Sequence, residues 1–241
     1  MSTARRMRLW GLVVERASGG PVTVEHACTV AIAATGADGA AVAVVLGASS
    51  RETLYAGDGI AADVEDLTTT LGEGPGADAL GGGPALAPDL ATAQSLARWP
   101  AFAPAAVELG VRAIFALPLQ VGAIRLGVLD LYRVDPGELD HEQLIDALLL
   151  ADTVCALLLD AYGREAPPAY GREPESAGLQ HPEVHQATGM VSVQLGLTVA
   201  MALVRLRAYA YAHDRRLHDV ARDVVARRLR FDPDRDCGAH A

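Results

Sequence analysis

Between residues 161 and 182 the sequence sets Gly163, Pro167, Pro168, Gly171, Pro174, Gly178 and Pro182 close together. No regular helix or strand runs through such a stretch, because proline removes a donor and both residues break the repeat. The 241-residue chain is therefore read as two folded units, 22–161 and 181–231, joined by a semi-rigid spacer at 162–180. An N-terminal segment, 1–21, and a tail, 232–241, flank them, and neither unit contains an internal repeat.

Charge divides the chain at the same place. From 187 to 231 there are eight arginines (205, 207, 215, 216, 222, 227, 228, 230) against three acids (214, 219, 223), a balance of +5. The whole chain stands at −10, so the remainder carries −15. A uniform nucleic-acid binder is excluded, and the two ends are read as facing different partners. All 20 basic residues are arginine, so the glycine-rich LGEGPG at 71–76 and Gly81, Gly82 and Gly83 lack the lysine of a phosphate-binding loop. They are read as loops at the mouth of a pocket.

A content of 51% hydrophobic and 21% charged residues is that of an ordinary globular chain. No stretch approaches the ~18 uncharged apolar residues of a membrane span, since the longest candidate, 147–159, is interrupted by Asp152. The apolar run after Arg5, Arg6 and Arg8 stops at Glu15, short of an export signal, and a cytoplasmic location with no membrane partner is expected. Cys28, Cys155 and Cys237 are far apart without a CxxC, which points to buried thiols rather than disulfides or zinc. His181 and His185 stand four apart, but no third ligand completes a metal site, and they are read as surface histidines. The sequence holds no GxSxG, no HExxH and no matched acid/base pair, so no enzyme and no cofactor are expected.

In the first unit, 24–34 reads as an apolar helix closed by Gly36, and 39–46 (GAAVAVVL) and 51–56 as strands joined by a hairpin turn. A helix over 58–71, an extended piece at 85–89 and a helix over 102–109 follow. Two apolar strands, 113–120 and 124–132, then lead to a helix over 140–160, where Leu144, Ala147, Leu148, Ala151, Val154, Cys155 and Leu158 recur at helical spacing. The order fits an α+β layer, an antiparallel sheet flanked by helices. The segments GVRAIFALPL, RLGVLDLYR and PGELDHEQL resemble the closing strands and helix of GAF domains. That resemblance implies a sensor of a small molecule or a partner, with an apolar pocket lined from strands 39–46 and 113–120. No heme-ligand or nucleotide pattern identifies its signal.

The second unit offers three short amphipathic helices, over 181–195, from Thr198 onward with Thr198 as its cap, and over 217–229, which make a small all-α bundle. HQATGMVSVQLGLTVAMALVRLRAYAYAHDRRLHDVARDVV, from 185 to 225, resembles the ANTAR family along its length. The resemblance implies an antiterminator that binds paired stem-loops in nascent transcripts, generally as a dimer. It places Ala187 and Gly189 in the family's AxG signature and Arg207 in its AxxxLR pattern, 202–207. Thr188 stands where the family usually has lysine, and the proline-rich spacer cannot continue the long helix that feeds many such bundles.

The residues placed against RNA are Ala187, Thr188, Gly189, Arg205, Arg207, Arg215, Arg216 and Arg222. Guanidinium groups grip phosphate in a two-pronged manner and stack on unpaired bases. Surface charge paired with Asp214, Asp219 or Asp223 is the competing reading, and it is preferred for Arg227, Arg228 and Arg230. Packing explains Ala187 and Gly189 equally well, and Tyr209 and Tyr211 are read as supports more than as stacking platforms. The alternative function is a sensing or protein-interaction module whose bundle no longer binds RNA. The runs 148–150 and 157–159 are all leucine and exceed one helical stripe, so a homodimer, cover from residues 9–14, or both are expected.

Overall fold

The structure, a computed structural model, describes residues 3–46, 50–164 and 182–232, with the backbone alone for Leu46, Ser50 and 162–164. The expected hairpin turn at 47–49, the spacer from 165 to 181, His181, Cys237 and the tail beyond 232 lie outside the described residues.

The sheet consists of β1 (Gly39–Leu46), β2 (Ser50–Ala56), β3 (Ala85–Ala87), β4 (Ala113–Val121) and β5 (Ile124–Arg133), in the order β2-β1-β5-β4-β3. Every pairing is antiparallel. Both faces are covered, which is why GAAVAVVL is a continuous apolar run rather than an alternating one. On one face Val42, Val44, Phe115, Leu117, Leu119, Leu129 and Leu131 pack under α2 (Val24–Thr35) and α7 (His141–Arg164). The other face is lined by smaller residues, Ala41, Ala43, Ala116 and Val128. Small side chains there let α3 (Gly59–Leu71) and α4 (Pro75–Gly82) lie close to the strands, with α6 (Phe102–Glu108) packed against α3 and a short α5 (Ala93–Arg98) before it.

Of the glycine-rich stretches read as loops, 72–74 connect α3 to α4, whereas Pro75, Gly76, Gly81 and Gly82 belong to α4, because Pro75 sits in its first turn, where a missing N–H costs nothing. The alanine-lined face of β1 and β4 is the one on which α3 and α4 pack. Residues Thr3–Arg16, left outside the folded unit, form α1, whose Leu9 and Val13 are buried in the same core as α2 and α7. Arg5 holds it there through Asp146 at 2.5 Å and through Glu142, so the basic start is structural. The leucine excess of α7 is met in part by α1: Leu149, Leu150 and Leu158 are buried, whereas Leu159 is exposed.

The second unit is a bundle of α8 (Pro182–Leu195), α9 (Val199–Ala212) and α10 (Leu217–Val225). Its core contains Val184, Ala187, Val191, Ala202, Leu203, Leu206, Ala210, Leu217, Val220, Ala221, Val224 and Phe231. The Thr198 hydroxyl accepts from Met201 N–H as expected, and Gly196 (φ 64°) supplies the left-handed turn between α8 and α9. No single helix among the described residues is long and apolar enough to cross a membrane.

Two glycines test this packing with opposite signs. At Gly127 an added Cβ would lie 2.0 Å from the Ala43 carbonyl oxygen of the neighbouring strand. Gly127→Ala is therefore expected to lower the unfolding free energy by about 1–3 kcal/mol or more in urea melts. Gly11, inside α1, has nothing within 4 Å of that position. Gly11→Ala is expected to raise stability by about 0.5–1 kcal/mol.

Candidate nucleic-acid interface

The eight residues singled out in the sequence divide into three groups. Ala187 is fully buried, and Thr188 is only 5% exposed, with its hydroxyl donating to Val184 O at 2.6 Å. Both lie inside the bundle, so the position of the missing lysine faces the core here. Gly189 is exposed, with nothing within 4 Å of an added Cβ, so packing does not explain why a helix interior holds glycine there.

Arg205, Arg215 and Arg222 form the second group, on the bundle's own surface. Arg205 is exposed and takes part in no ion pair or hydrogen bond among the described residues. Arg222 is exposed beside Asp219 at 3.3 Å and Glu183 at 3.8 Å. Arg215 and Arg228 both reach Asp223, at 2.7 Å each. Their hydrogen bonds hold the Asp223 carboxyl below the usual carboxylate range. Exposed pairs of this kind are worth about 0–1 kcal/mol and yield readily to a phosphate.

The third group points at the other domain. Arg216 bridges Asp63 at 2.6 Å and Asp66 at 3.1 Å, both on α3. Arg207 Nε donates to Thr69 O at 2.9 Å, and its guanidinium lies 2.8 Å from where a side chain on Gly72 would begin. Burial lowers the Arg207 pKa, with repulsion from Arg51 adding to it. The charge there is held at a cost. The Leu217 N–H donates to Thr70 Oγ1 at 3.0 Å, and His185 Nε2 stands 2.9 Å from Glu52 on β2. A cleft of about 350 Å³ opens beside these contacts, between α3 and α6 on one side and Ala210, Tyr211, Asp214, Arg215 and Arg216 on the other.

The two halves thus also contact each other. Opposite charge is the physical reason. Asp63, Asp66, Thr69, Thr70 and Glu52 were missed in the sequence. The −15 against +5 imbalance was the available signal, but it names no pairs.

Beneath this contact lies a buried charge cluster. Arg51 Nη2 donates to both oxygens of Glu65, at 2.8 and 2.9 Å, and to Asp130 Oδ2 at 2.5 Å. Gly76 of α4 abuts them, since an added Cβ would meet Asp130 and Arg51 at 2.7–2.8 Å. Two carboxylates share one cation, and Arg51 Nε and Nη1 and Asp130 Oδ1 have no hydrogen-bond partner among the described residues. Burial drives the Glu65 pKa up to about 8, with Asp130 reinforcing it and Arg51 opposing it. Burial also raises the Cys28 thiol to about 12, so this cysteine is a packing residue.

The ANTAR domain family matches residues 175–225 of the chain, which covers α8, α9 and α10. No curated protein matches the chain. Among solved structures, the GAF domain of a phosphoenolpyruvate-protein phosphotransferase from Coxiella burnetii is 15% identical, with a TM-score of 0.48. That match covers 68% of this chain and 98% of the other. A domain assigned to a two-component sensor histidine kinase protein from Sinorhizobium meliloti 1021 is 16% identical, with a TM-score of 0.48, and the match covers 59% of this chain and 95% of that one. The chromophore-binding domain of a bacteriophytochrome from R. palustris is 14% identical, with a TM-score of 0.46, at 68% and 63% coverage. The chain thus joins an α+β domain, built on a five-stranded antiparallel sheet, to a helical unit that matches the ANTAR domain family.

The buried cluster sets a pH dependence. Because the folded state raises the Glu65 pKa from 4.5 to about 8, it binds the proton more tightly than the unfolded chain does. Stability contributed by this group is full below about pH 4.5 and is lost as pH rises toward 8. Glu65→Gln, which keeps the shape without the charge, is expected to flatten the fall in melting temperature between pH 5 and 8. Parallel wild-type and variant profiles in calorimetry would show that Glu65 carries no such shift.

Proposed function

We propose that the chain is a signal-responsive RNA-binding regulator of transcription termination. The ANTAR match over the bundle that holds the arginines carries this reading. Arg205, Arg207, Arg215, Arg216 and Arg222 contact phosphates and loop bases of paired stem-loops in nascent transcripts. Gly189 gives the RNA backbone a close approach, while Ala187 and Thr188 shape the helix beneath it. The GAF-like domain responds to a small molecule or a protein partner. The protein works in the cytoplasm and catalyses no reaction.

The second reading, a sensing or interaction module that has lost RNA affinity, draws on Thr188 and on the engagement of Arg207 and Arg216 by the sensor. Binding to tandem hairpins over a salt series separates the two. On the first reading, affinity falls linearly in log–log form, and Arg205→Ala reduces the slope by about 0.9, the share of one phosphate contact. Gly189→Ala is expected to leave stability unchanged or raise it by about 0.5–1 kcal/mol while weakening binding at least threefold. Wild-type protein that binds no tandem hairpin at any salt concentration would support the second reading.

We further propose a homodimer held by the sensor domain. Met7, Trp10 and Val14 recur on one face of α1 and are 69%, 45% and 43% exposed, with Leu159 of α7 also exposed at 43%. A second copy covering that stripe removes it from water by a two-fold contact. Sedimentation equilibrium is expected to give a dimer at micromolar concentration, and Met7→Glu/Trp10→Glu a monomer. A wild-type monomer would overturn this.

A further inference from the structure

The surface that α3 presents to the bundle is unusual in what it offers an arginine. Asp63, Asp66 and Thr70 recur at three and four on one helical face, and Thr69 and Gly72 close its last turn. Asp63 and Asp66 bring carboxylate oxygens from two side chains to a single guanidinium, as a phosphodiester would bring its own two. Arg207 donates to the Thr69 carbonyl in the last turn of the same helix, where the backbone dipole favours a cation. It also occupies the space left by Gly72, so it fills a shaped recess rather than lying on an open surface.

We infer that the α3 face of the sensor domain is a binding surface for the bundle's RNA-contact arginines, and that it competes with RNA for Arg207 and Arg216. This inference rests on the RNA-binding reading above and adds its regulation. The Asp63 and Asp66 carboxylates neutralise the Arg216 guanidinium and repel a phosphate brought to it, and the half-buried Arg207 meets RNA in full only after α3 has withdrawn. In the docked state Arg205 and Arg222 stay exposed, so RNA can make a first, weaker contact there. A signal that shifts α3 then changes affinity without touching the bundle itself. Linkage makes the effect reciprocal, and RNA in turn loosens the docked state.

The Leu217 N–H gives the contact its own readout. It is the first residue of α10, where an N–H has no partner within the helix, and Thr70 Oγ1 is its acceptor. Amide exchange is compared in full-length wild type, Asp63→Asn/Asp66→Asn, and Glu15→Gln/Asp135→Asn. The last makes the same charge change at exposed sites away from the bundle. Each protein is also titrated with tandem-hairpin RNA.

The Leu217 amide is expected to be protected in wild type and in the control, and to exchange at least tenfold faster in Asp63→Asn/Asp66→Asn. RNA affinity is expected to rise at least fivefold in that variant and less than twofold in the control, and RNA added to wild type should deprotect Leu217. An unprotected amide in wild type would overturn the docked state, as would an amide unaffected by the double substitution. Deprotection without a gain in affinity would overturn the competition. If no form binds RNA, the RNA reading fails and the competition with it, while the amide rates still report whether the domains dock.

Discussion

The guanidinium of Arg51 fixes the geometry on which the domain contact depends. It joins the edge strand β2, the helix α3 and the central strand β5 through Glu65 and Asp130, all buried. Breaking such a cluster by removing one partner would strand a buried charge, a cost of about 3–5 kcal/mol. The bundle touches the α+β domain through the two outer elements so joined: Glu52 follows Arg51 on β2, and Asp63, Asp66, Thr69 and Thr70 surround Glu65 on α3. A perturbation at the sheet therefore has a covalent and ionic route to the arginines only a few residues long.

Much of the fold was legible because its signals are local. Strand 39–46, the paired strands 113–121 and 124–133, the long final helix and the cap at Thr198 follow from apolar runs, glycine breaks and one hydroxyl. What escaped depends on tertiary context. Glycines at 76, 81 and 82 read as loop, yet proline at 75 starts a helix that packs against the alanine-lined face of the sheet. The segment ahead of residue 22 showed its apolar residues, but that they form a helix against α2 and α7 depends on residues such as Asp146, more than a hundred positions away.

The candidate site was legible as a set of arginines and not as an arrangement. Residue type and spacing pick out 205, 207, 215, 216 and 222, but they do not distinguish an arginine in water from one against a neighbouring helix. Arg205 and Arg207 are two residues apart on α9 and end in opposite circumstances, one exposed and one pressed against Gly72. Two residues advance a helix by about 200°, so adjacent entries of one motif can serve different faces. Thr188 is similar. Its departure from the usual lysine concerns a position on the inner side of α8, where a threonine hydroxyl satisfies itself on the preceding turn.

The domain contact itself is built from modest pieces. The side chain of Arg216 remains 54% exposed even while it bridges two aspartates, so solvent and mobile ions compete for it continuously. Contacts of that quality give a closed state preferred by a few-fold to tens-fold, not by orders of magnitude. On the competition inferred above, such a contact behaves as a rheostat: a weakly binding effector, or a change in ionic strength, moves the undocked fraction in proportion, with no threshold to cross.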